Sequence, residues 1–405
     1  MADPSPSVLI ACDKFRGSMT AADANSAIAR GIAQTFPAAT AVQIPIADGG
    51  EGTLAALTLD DTHSRTATVE SPFGKPIDVP WSFDPATGLA VVELAVAAGH
   101  PTQGAGYDPD RATFKGVTGF VQQDGAKRLQ RTSAGVHRDA AALNAGANTI
   151  VVAVGGSVTV DAGAGALEAL GAVLLDETGH ALERSAGRTL ARVHSVDKSG
   201  IHPRLDAAHV ILASDVDNPL CGPRGASVVF GPQKGVAAAD IGAFDAALAN
   251  FDAVTAAATG LEPLHDAPFA GAAGGMMVGL RAAARDFTAR DGFTIMAERR
   301  NLADAIAAAD WVVTGEGSMD QQSLSGKGPV ALARMARDAG KPVVGFVGRR
   351  AVDFDVLRDE GFAAVFPLSP EPQTLDAALA SAPAALEQAA AHAFGLIGAA
   401  QPKVP

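Results

Sequence analysis

The stretch Val8-Leu9-Ile10-Ala11-Cys12-Asp13-Lys14-Phe15-Arg16-Gly17-Ser18-Met19-Thr20 decides the fold class. Its opening apolar run is too short for a helix and suits a strand buried on both faces, and a polar, glycine-containing turn follows it. Thr20 is placed to cap a helix, Asp23 puts a negative charge in the first turn, and Ala24, Ile28 and Ile32 recur at helical spacing. The same order returns at once. Val42 to Ala47 reads as a strand, and Asp48-Gly49-Gly50-Glu51-Gly52-Thr53 leads into a second helix. Near the other end Trp311 to Thr314, Val343 to Val347 and Ala363 to Phe366 repeat it, each followed by glycine or a Pro-rich turn. Helical stretches at Val330 to Ala339 and Leu375 to Ile397 lie between or after them. Strands alternating with helices predict a doubly wound parallel sheet.

The middle of the chain reads differently. From His63 to about Gly116 it is rich in Pro, Gly and Thr, with short strands expected at Ile77 to Phe83 and Leu89 to Leu94. An apolar strand at Thr149 to Val154, a glycine-rich turn from Gly155 to Gly165 and a strand at Val210 to Ala213 follow. The expectation is an α/β protein of two α/β domains. Residues 1–62 and 291–405 form a discontinuous, Rossmann- or flavodoxin-like parallel-sheet domain, and residues 63–290 an inserted mixed α/β domain.

Composition narrows the class further. The chain has 405 residues, 48% hydrophobic but only 5% aromatic, so its core is built from Ala, Val, Leu and Gly. That apolar fraction excludes global disorder. With 31 basic against 44 acidic residues the net charge is −13, which argues against a nucleic-acid partner. No uncharged apolar run reaches the roughly 18 residues of a membrane span, since Glu93 interrupts the run that starts at Leu89. No basic, then apolar, leader opens the chain, so a cytoplasmic setting and no membrane partner are expected. Cys12 and Cys221 are too few for a disulfide framework or a four-cysteine zinc site and are expected inside. A homo-oligomer is left open.

Five glycine loops carry the chemistry, because glycine allows close backbone approach and a following helix offers N–H groups to an anion. Asp48, Gly49, Gly50 and Glu51 combine carboxylates with glycines, suiting Mg²⁺ positioning, substrate hydroxyls or simply the start of a helix. In Ser214-Asp215-Val216-Asp217-Asn218-Pro219, alternation along an extended chain would send Asp215 and Asp217 to one face, for a shared cation or a proton acceptor. Gln233 and Lys234 of Phe230-Gly231-Pro232-Gln233-Lys234-Gly235 follow, the lysine suited to a phosphate or carboxylate. Thr314, Gly315, Glu316, Gly317 and Asp320 lead to Gly326-Lys327-Gly328, which is not a Walker A element, since Gly328 stands where Ser or Thr is required. Gly156, Ser157 and Asp161 of Gly155–Gly163, and Gly271 and Gly274 of Gly271–Gly275, complete the set. The last run reads equally well as a helix contact or a phosphate cradle. The histidines form no zinc-binding pair; His137 and His265 are ordinary surface or core residues on this reading.

In this order the loops resemble the bacterial type I glycerate kinases. The family's Asp-Ser-Phe-Lys-Gly-Ser is Asp13 to Ser18 here, and its Pro-Ile-Ala-Asp-Gly-Gly-Glu-Gly-Thr is matched in full by Pro45 to Thr53. Asp215 to Leu220, Phe230 to Gly235, Gly271 to Gly275 and Thr314 to Ser323 match further blocks, and Gly155 to Gly163 matches one in part. The resemblance implies two α/β domains with a cleft between them, and ATP- and Mg²⁺-dependent phosphorylation of D-glycerate, usually at the 2-hydroxyl. On that basis Asp215 is the expected proton acceptor and Asp48 or Asp217 the metal ligand. Arg16 would clamp the substrate carboxylate, Lys234 and Lys327 would face phosphate, and Asp13 and Asn218 would complete the binding set. Lys14 and Arg16 replace the usual Ser and Lys, Val160 and Ala162 replace Asn and Gly, and Ser318 stands where Arg is common. Arg111 to Thr118 follows the family's Thr- and Gly-rich turn only loosely. A kinase for another small hydroxy acid and an inactive metabolite-binding homologue therefore stay open beside glycerate kinase.

Overall fold

The structure, a computed structural model, describes residues 5–70, 76–98, 141–183, 185–326, 328–369 and 372–400. Strands β1 (Ser7–Ile10) and β2 (Thr40–Gln43) come first. They are followed by β3 (Ser64–Glu70), β4 (Pro76–Asp84), β5 (Leu89–Glu93), β6 (Thr149–Ala153), β7 (Val173–Leu175), β8 (Ser195–Asp197), β9 (His209–Ser214) and β10 (Asp286–Asp291). Last come β11 (Trp311–Met319), β12 (Val343–Arg350) and β13 (Phe362–Pro367). The helices are α1 (Ala21–Thr35), α2 (Thr53–Leu57), α3 (Leu94–Ala98), α4 (Ala141–Ala145), α5 (Ala164–Ala169), α6 (Ala226–Val229) and α7 (Ile241–Thr259). They continue with α8 (Met276–Ala283), α9 (Gly292–Arg299), α10 (Leu302–Ala308), α11 (Gly328–Asp338), α12 (Phe354–Asp359) and α13 (Leu375–Ala400). The chain divides into two units, one of Met1–Asp48, Ala55–Leu57 and Phe293–Pro405, the other of Gly49–Leu54 and Thr58–Gly292.

In the first unit the strand order is β13-β12-β11-β1-β2, and every neighbouring pair is parallel. Renumbered within the unit this is 2-1-3-4-5, the flavodoxin-like doubly wound order, whose switch point lies between β1 and β11. Thr20 caps α1 by accepting from the Asp23 N–H, and Ala24, Ile28 and Ile32 are buried, as the spacing predicts. Against α1 lies α13, and Gly31 permits the approach: a Cβ there would sit 2.3 Å from the Glu387 carbonyl oxygen. Phe346, Leu386 and Phe394 fill the core on that side.

One expectation is corrected here. Gly315 to Gly317 is not a loop, because β11 continues through it to Met319, paired with β12 as far as Arg350. The glycines make the ladder possible. A Cβ at Gly315 would meet the Phe346 carbonyl oxygen at 2.2 Å, and one at Gly348 the Gly317 carbonyl oxygen at 2.5 Å.

The second unit holds a six-stranded mixed sheet in the order β10-β9-β6-β5-β4-β3. β10, β9, β6 and β5 run parallel, while β4 and β3 are antiparallel additions at one edge. Its core includes Val152, Leu212, Phe244 and Phe251. β7 and β8 form a separate antiparallel pair.

Candidate active site

At the switch point of the first unit the chain is pinned on both sides of Asp13. The Cys12 N–H donates to Asn25 Oδ1 at 2.9 Å, and the Asp13 N–H donates to the Gly315 carbonyl at 2.9 Å. Thr314 is buried and its hydroxyl donates to the Ala11 carbonyl at 2.7 Å, so it staples β11 to β1. Ser18 is fixed differently. Pro383, inside α13, has no N–H for the Leu379 carbonyl one turn back, and the Ser18 hydroxyl donates to that oxygen at 2.8 Å. The turn carrying Arg16 is thereby tied to the long helix. Arg16 itself is exposed, and Gly317 lies against its backbone nitrogen.

Asp13 and Asp48 are each only 8% exposed. Burial pushes the Asp13 carboxyl up to about 6; nearby Lys14 opposes the shift, and the Asp48 charge adds to it. The Asp13 carboxylate accepts from the Lys14 N–H at 2.7 Å, and the Lys14 ammonium stands 3.6 Å away. Glu316 is buried as well. Asp320 closes an Asx turn, accepting from the Gln322 N–H at 2.9 Å. Among the described residues no group of three or more His, Cys, Asp or Glu is arranged to hold a metal. Mg²⁺ does not need one, since it is usually held by one or two carboxylates with phosphates and waters. Two buried carboxylates, with the Asp48 charge felt at Asp13, are an all-oxygen donor set of that kind, so Asp13 and Asp48 fit it.

In the second unit the glycine loops meet at the carboxyl ends of β6 and β9. The Gly155 N–H donates to the Gly49 carbonyl at 2.9 Å, and a Cβ on Gly155 would lie 2.5 Å from the Gly50 Cα. Gly49, at φ 101°, packs on Ala213 and Ser214. Gly271 packs on the Asn218 and Pro219 carbonyls, and Gly274 on Thr159, where a Cβ would come within 2.1 Å of the carbonyl oxygen. The Gly271–Gly275 run thus packs closely on the backbone of neighbouring loops. Gly156 adopts a positive φ of 77° in the same turn.

Lys234 is buried among these loops, and its Nζ donates to Ser157 Oγ and to the Thr159 carbonyl, both at 2.9 Å. Burial lowers its pKa to about 7, and Asp161 partly counters this. Asp161 accepts from the N–H groups of Gly163 and Gly165, at 3.1 and 3.3 Å, around the start of α5. Glu93 does the same for α2, taking the N–H groups of Gly52 and Leu54 on one oxygen at 3.1 and 2.9 Å. Both junctions therefore already carry a carboxylate where a phosphate would sit.

β9 ends at Ser214, so the alternation that would have aligned Asp215 with Asp217 does not continue. Asp215 is half-buried, whereas Asp217 is exposed and paired with Arg224 at 3.1 Å, the setting of a surface ion pair. Asn218 donates to the Arg224 carbonyl at 2.8 Å. Glu51 and Gln233 are exposed. Lys327, His137 and the Arg111–Thr118 segment lie outside the described residues. Both cysteines are buried and unpaired, and burial pushes the Cys221 thiol up to about 12. A cavity of about 330 Å³ in the first unit, lined by Phe293, Ala297, Leu302 and Met335 among others, contains none of the sequence-predicted site residues. Sequence reasoning missed Glu93, although a lone carboxylate closing an apolar strand was a signal in plain view.

A doubly wound unit with acids at its switch point, joined to a mixed α/β unit rich in glycine turns, defines an α/β enzyme acting on a small polar molecule. The glycerate kinase family profile matches residues 8–398, and the chain belongs to that family of phosphotransferases with an alcohol acceptor, which use ATP as a substrate. It is 35% identical over 377 residues to the glycerate 2-kinase of Escherichia coli (strain K12), covering 93% of each chain. A glycerate kinase of Haemophilus influenzae is 35% identical over 363 residues, 89% of this chain and 90% of that one. A crystal structure from Salmonella typhimurium LT2, described as glycerate kinase 2, superposes with a TM-score of 0.79 at 32% identity, over 98% of this chain and 99% of that one. Among the described residues no helix is long and apolar enough to cross a membrane.

Proposed function

We propose that the protein transfers the γ-phosphoryl group of ATP to the 2-hydroxyl of D-glycerate. The observation that carries this reading is the buried pair Asp13 and Asp48 at the switch point of a chain that matches the glycerate kinase family almost end to end. Phosphoryl transfer asks little covalent chemistry of the protein; it needs positioning and neutralisation of charge. Mg²⁺, held by Asp48 with Asp13, would supply that neutralisation when bound.

The chain's own residues take the remaining roles. Asp215, half-buried beyond β9, accepts the proton of the substrate hydroxyl. Arg16 offers a planar fork to the substrate carboxylate. The phosphate chain falls to Lys327 and the start of α11, because the helix starts at Gly52–Leu54 and Gly163–Gly165 are held by Glu93 and Asp161. Lys234 holds Ser157 and Thr159 in place. The use of ATP fits the cytoplasmic setting read from the sequence.

The test is ADP release coupled to product identification with D-glycerate and ATP. Formation of 2-phosphoglycerate supports the reading; formation of 3-phosphoglycerate overturns the position, and no turnover with D-glycerate overturns the substrate. Asp215→Asn should lower kcat by about 10²-fold or more, with little change in KM. Near-normal turnover would remove Asp215 from the mechanism.

A further inference from the structure

We propose that Glu93 is a positioning residue for this reaction: its buried carboxylate occupies the N–H groups at the start of α2, keeps the Gly49–Thr53 turn from binding an anion, and fixes how that turn presents Glu51. The inference deepens the kinase reading and rests on it for its activity arm only.

Glu93 is the last residue of β5 and is 2% exposed. A carboxylate at such a depth is costly unless hydrogen bonds compensate it. The compensation here is specific. One oxygen accepts from both the Gly52 and the Leu54 N–H, and these are charge-assisted bonds, stronger than neutral ones.

The turn has no cap of its own. The N-cap of α2 is Gly52, left-handed at φ 96° and without a side chain, where Ser, Thr, Asp or Asn would ordinarily serve. A residue 41 positions further along the chain supplies the missing acceptor. The rest of the turn is held on its own backbone. Thr53 Oγ1 accepts from the Gly49 N–H at 3.1 Å and donates to the Gly50 carbonyl at 2.7 Å, and the Gly49 carbonyl is taken by Gly155. Without Glu93, a pair of N–H donors beside a glycine-rich turn would form a ready site for phosphate. With it, both donors are occupied, and the turn's own acid, Glu51, is exposed.

The experiment compares Glu93→Ala, Glu93→Asp and Glu93→Gln in the full chain. Two readouts are used: amide hydrogen exchange at Gly52 and Leu54, and kcat and KM with ATP and D-glycerate. Glu93→Ala should speed exchange at the two amides by tenfold or more and lower kcat by about 10-fold or more, leaving KM for ATP within about twofold. Glu93→Gln keeps an acceptor of the same reach and should stay within about threefold of the parent kcat. Glu93→Asp, one methylene too short, should behave like Glu93→Ala. Unchanged exchange in Glu93→Ala, or faster exchange with an unchanged kcat, would overturn the proposal. So would equal losses in Glu93→Gln and Glu93→Asp, and that contrast decides the matter if Glu93→Ala fails to fold. If the parent chain shows no turnover with D-glycerate, the kinase reading fails instead, and the exchange arm still decides whether Glu93 holds the turn.

Discussion

The two units bury opposite charges and resolve them in different ways. In the first, burial carries the Asp13 carboxyl up to about 6, and the nearby Asp48 charge adds to the shift. In the second, Lys234 is buried as deeply, burial carries it down to about 7, and it is bonded to Ser157 and Thr159. Desolvation pushes both groups toward neutrality, as it must for either sign. The difference lies in what is left over. The second unit supplies its own counter-groups, with Asp161 near Lys234 and Glu93 and Asp161 at the helix starts. In the first, the Lys14 ammonium stands 3.6 Å from Asp13 and opposes the shift that burial and Asp48 produce. The second unit answers its buried cation with bonded acceptors, whereas the first sets two buried acids near each other.

That contrast can be broken in four ways, from the largest expected effect to the smallest. Asp13→Asn removes a strained charge from the acid pair. It should lower kcat by about 10²-fold while leaving stability unchanged or raised, measured by coupled ADP release and by urea unfolding. Activity retained alongside lower stability would make Asp13 structural and erase the distinction. Lys234→Met withdraws an ammonium donor from the Thr159 carbonyl and from Ser157. It should destabilise the protein by about 1–3 kcal/mol in urea unfolding, the range for hydrogen bonds to a charged group. A more stable variant would mean that the buried ammonium is a net cost rather than a tie.

The third concerns pH. Asp13 has a folded-state pKa of about 6, above the ordinary 3.8, so its favourable contribution is complete below 3.8 and is lost as pH rises through 6. Lys234 has a folded-state value of about 7, below 10.5, so its contribution is complete above 10.5 and is lost as pH falls through 7. Between about 6 and 7 both are charged and neither contributes. Urea unfolding without divalent cation should show a shallow minimum in that window, and the Asp13→Asn, Lys234→Met double variant should flatten it. An unaltered curve in the double variant would assign the pH dependence to other groups.

The smallest effect concerns backbone strain. Unit two places Ala162 at φ 51°, Phe269 at φ 68° and Ala273 at φ 52°, whereas the non-glycine residue of this kind in unit one is Asn301, a type that tolerates the region, among the described residues. Ala162→Gly should stabilise by about 0.5–1 kcal/mol, the relief of left-handed strain less the added freedom of the unfolded chain. No gain in thermal unfolding would show that the turn holds Ala162 at no cost.

Much of the fold was legible because its signals are local. Val8 to Cys12 is a short apolar run whatever surrounds it, and Thr20 caps its helix through a residue three positions away. The parallel sheet of the first unit follows from such units repeated. The extension of β11 through Gly315–Gly317 was not legible, because glycine after a strand ordinarily signals a turn. Here its meaning was set by Phe346 on the neighbouring strand. In the same way Asp215 and Asp217 read as a pair only while the chain stays extended, and β9 stops at Ser214.

The sequence by itself determined the alternating elements, the acidic and glycine loops, and through them the resemblance to one family, since each of these depends on residues adjacent along the chain. Tertiary structure alone decided what the charges in those loops do. Lys234 meets Ser157 from 77 positions away, Glu93 reaches Gly52 across 41, and Ser18 finds the carbonyl that Pro383 frees on α13. A buried charge takes its state from whichever donor or acceptor the packing brings to it, and no spacing rule along the chain carries that information.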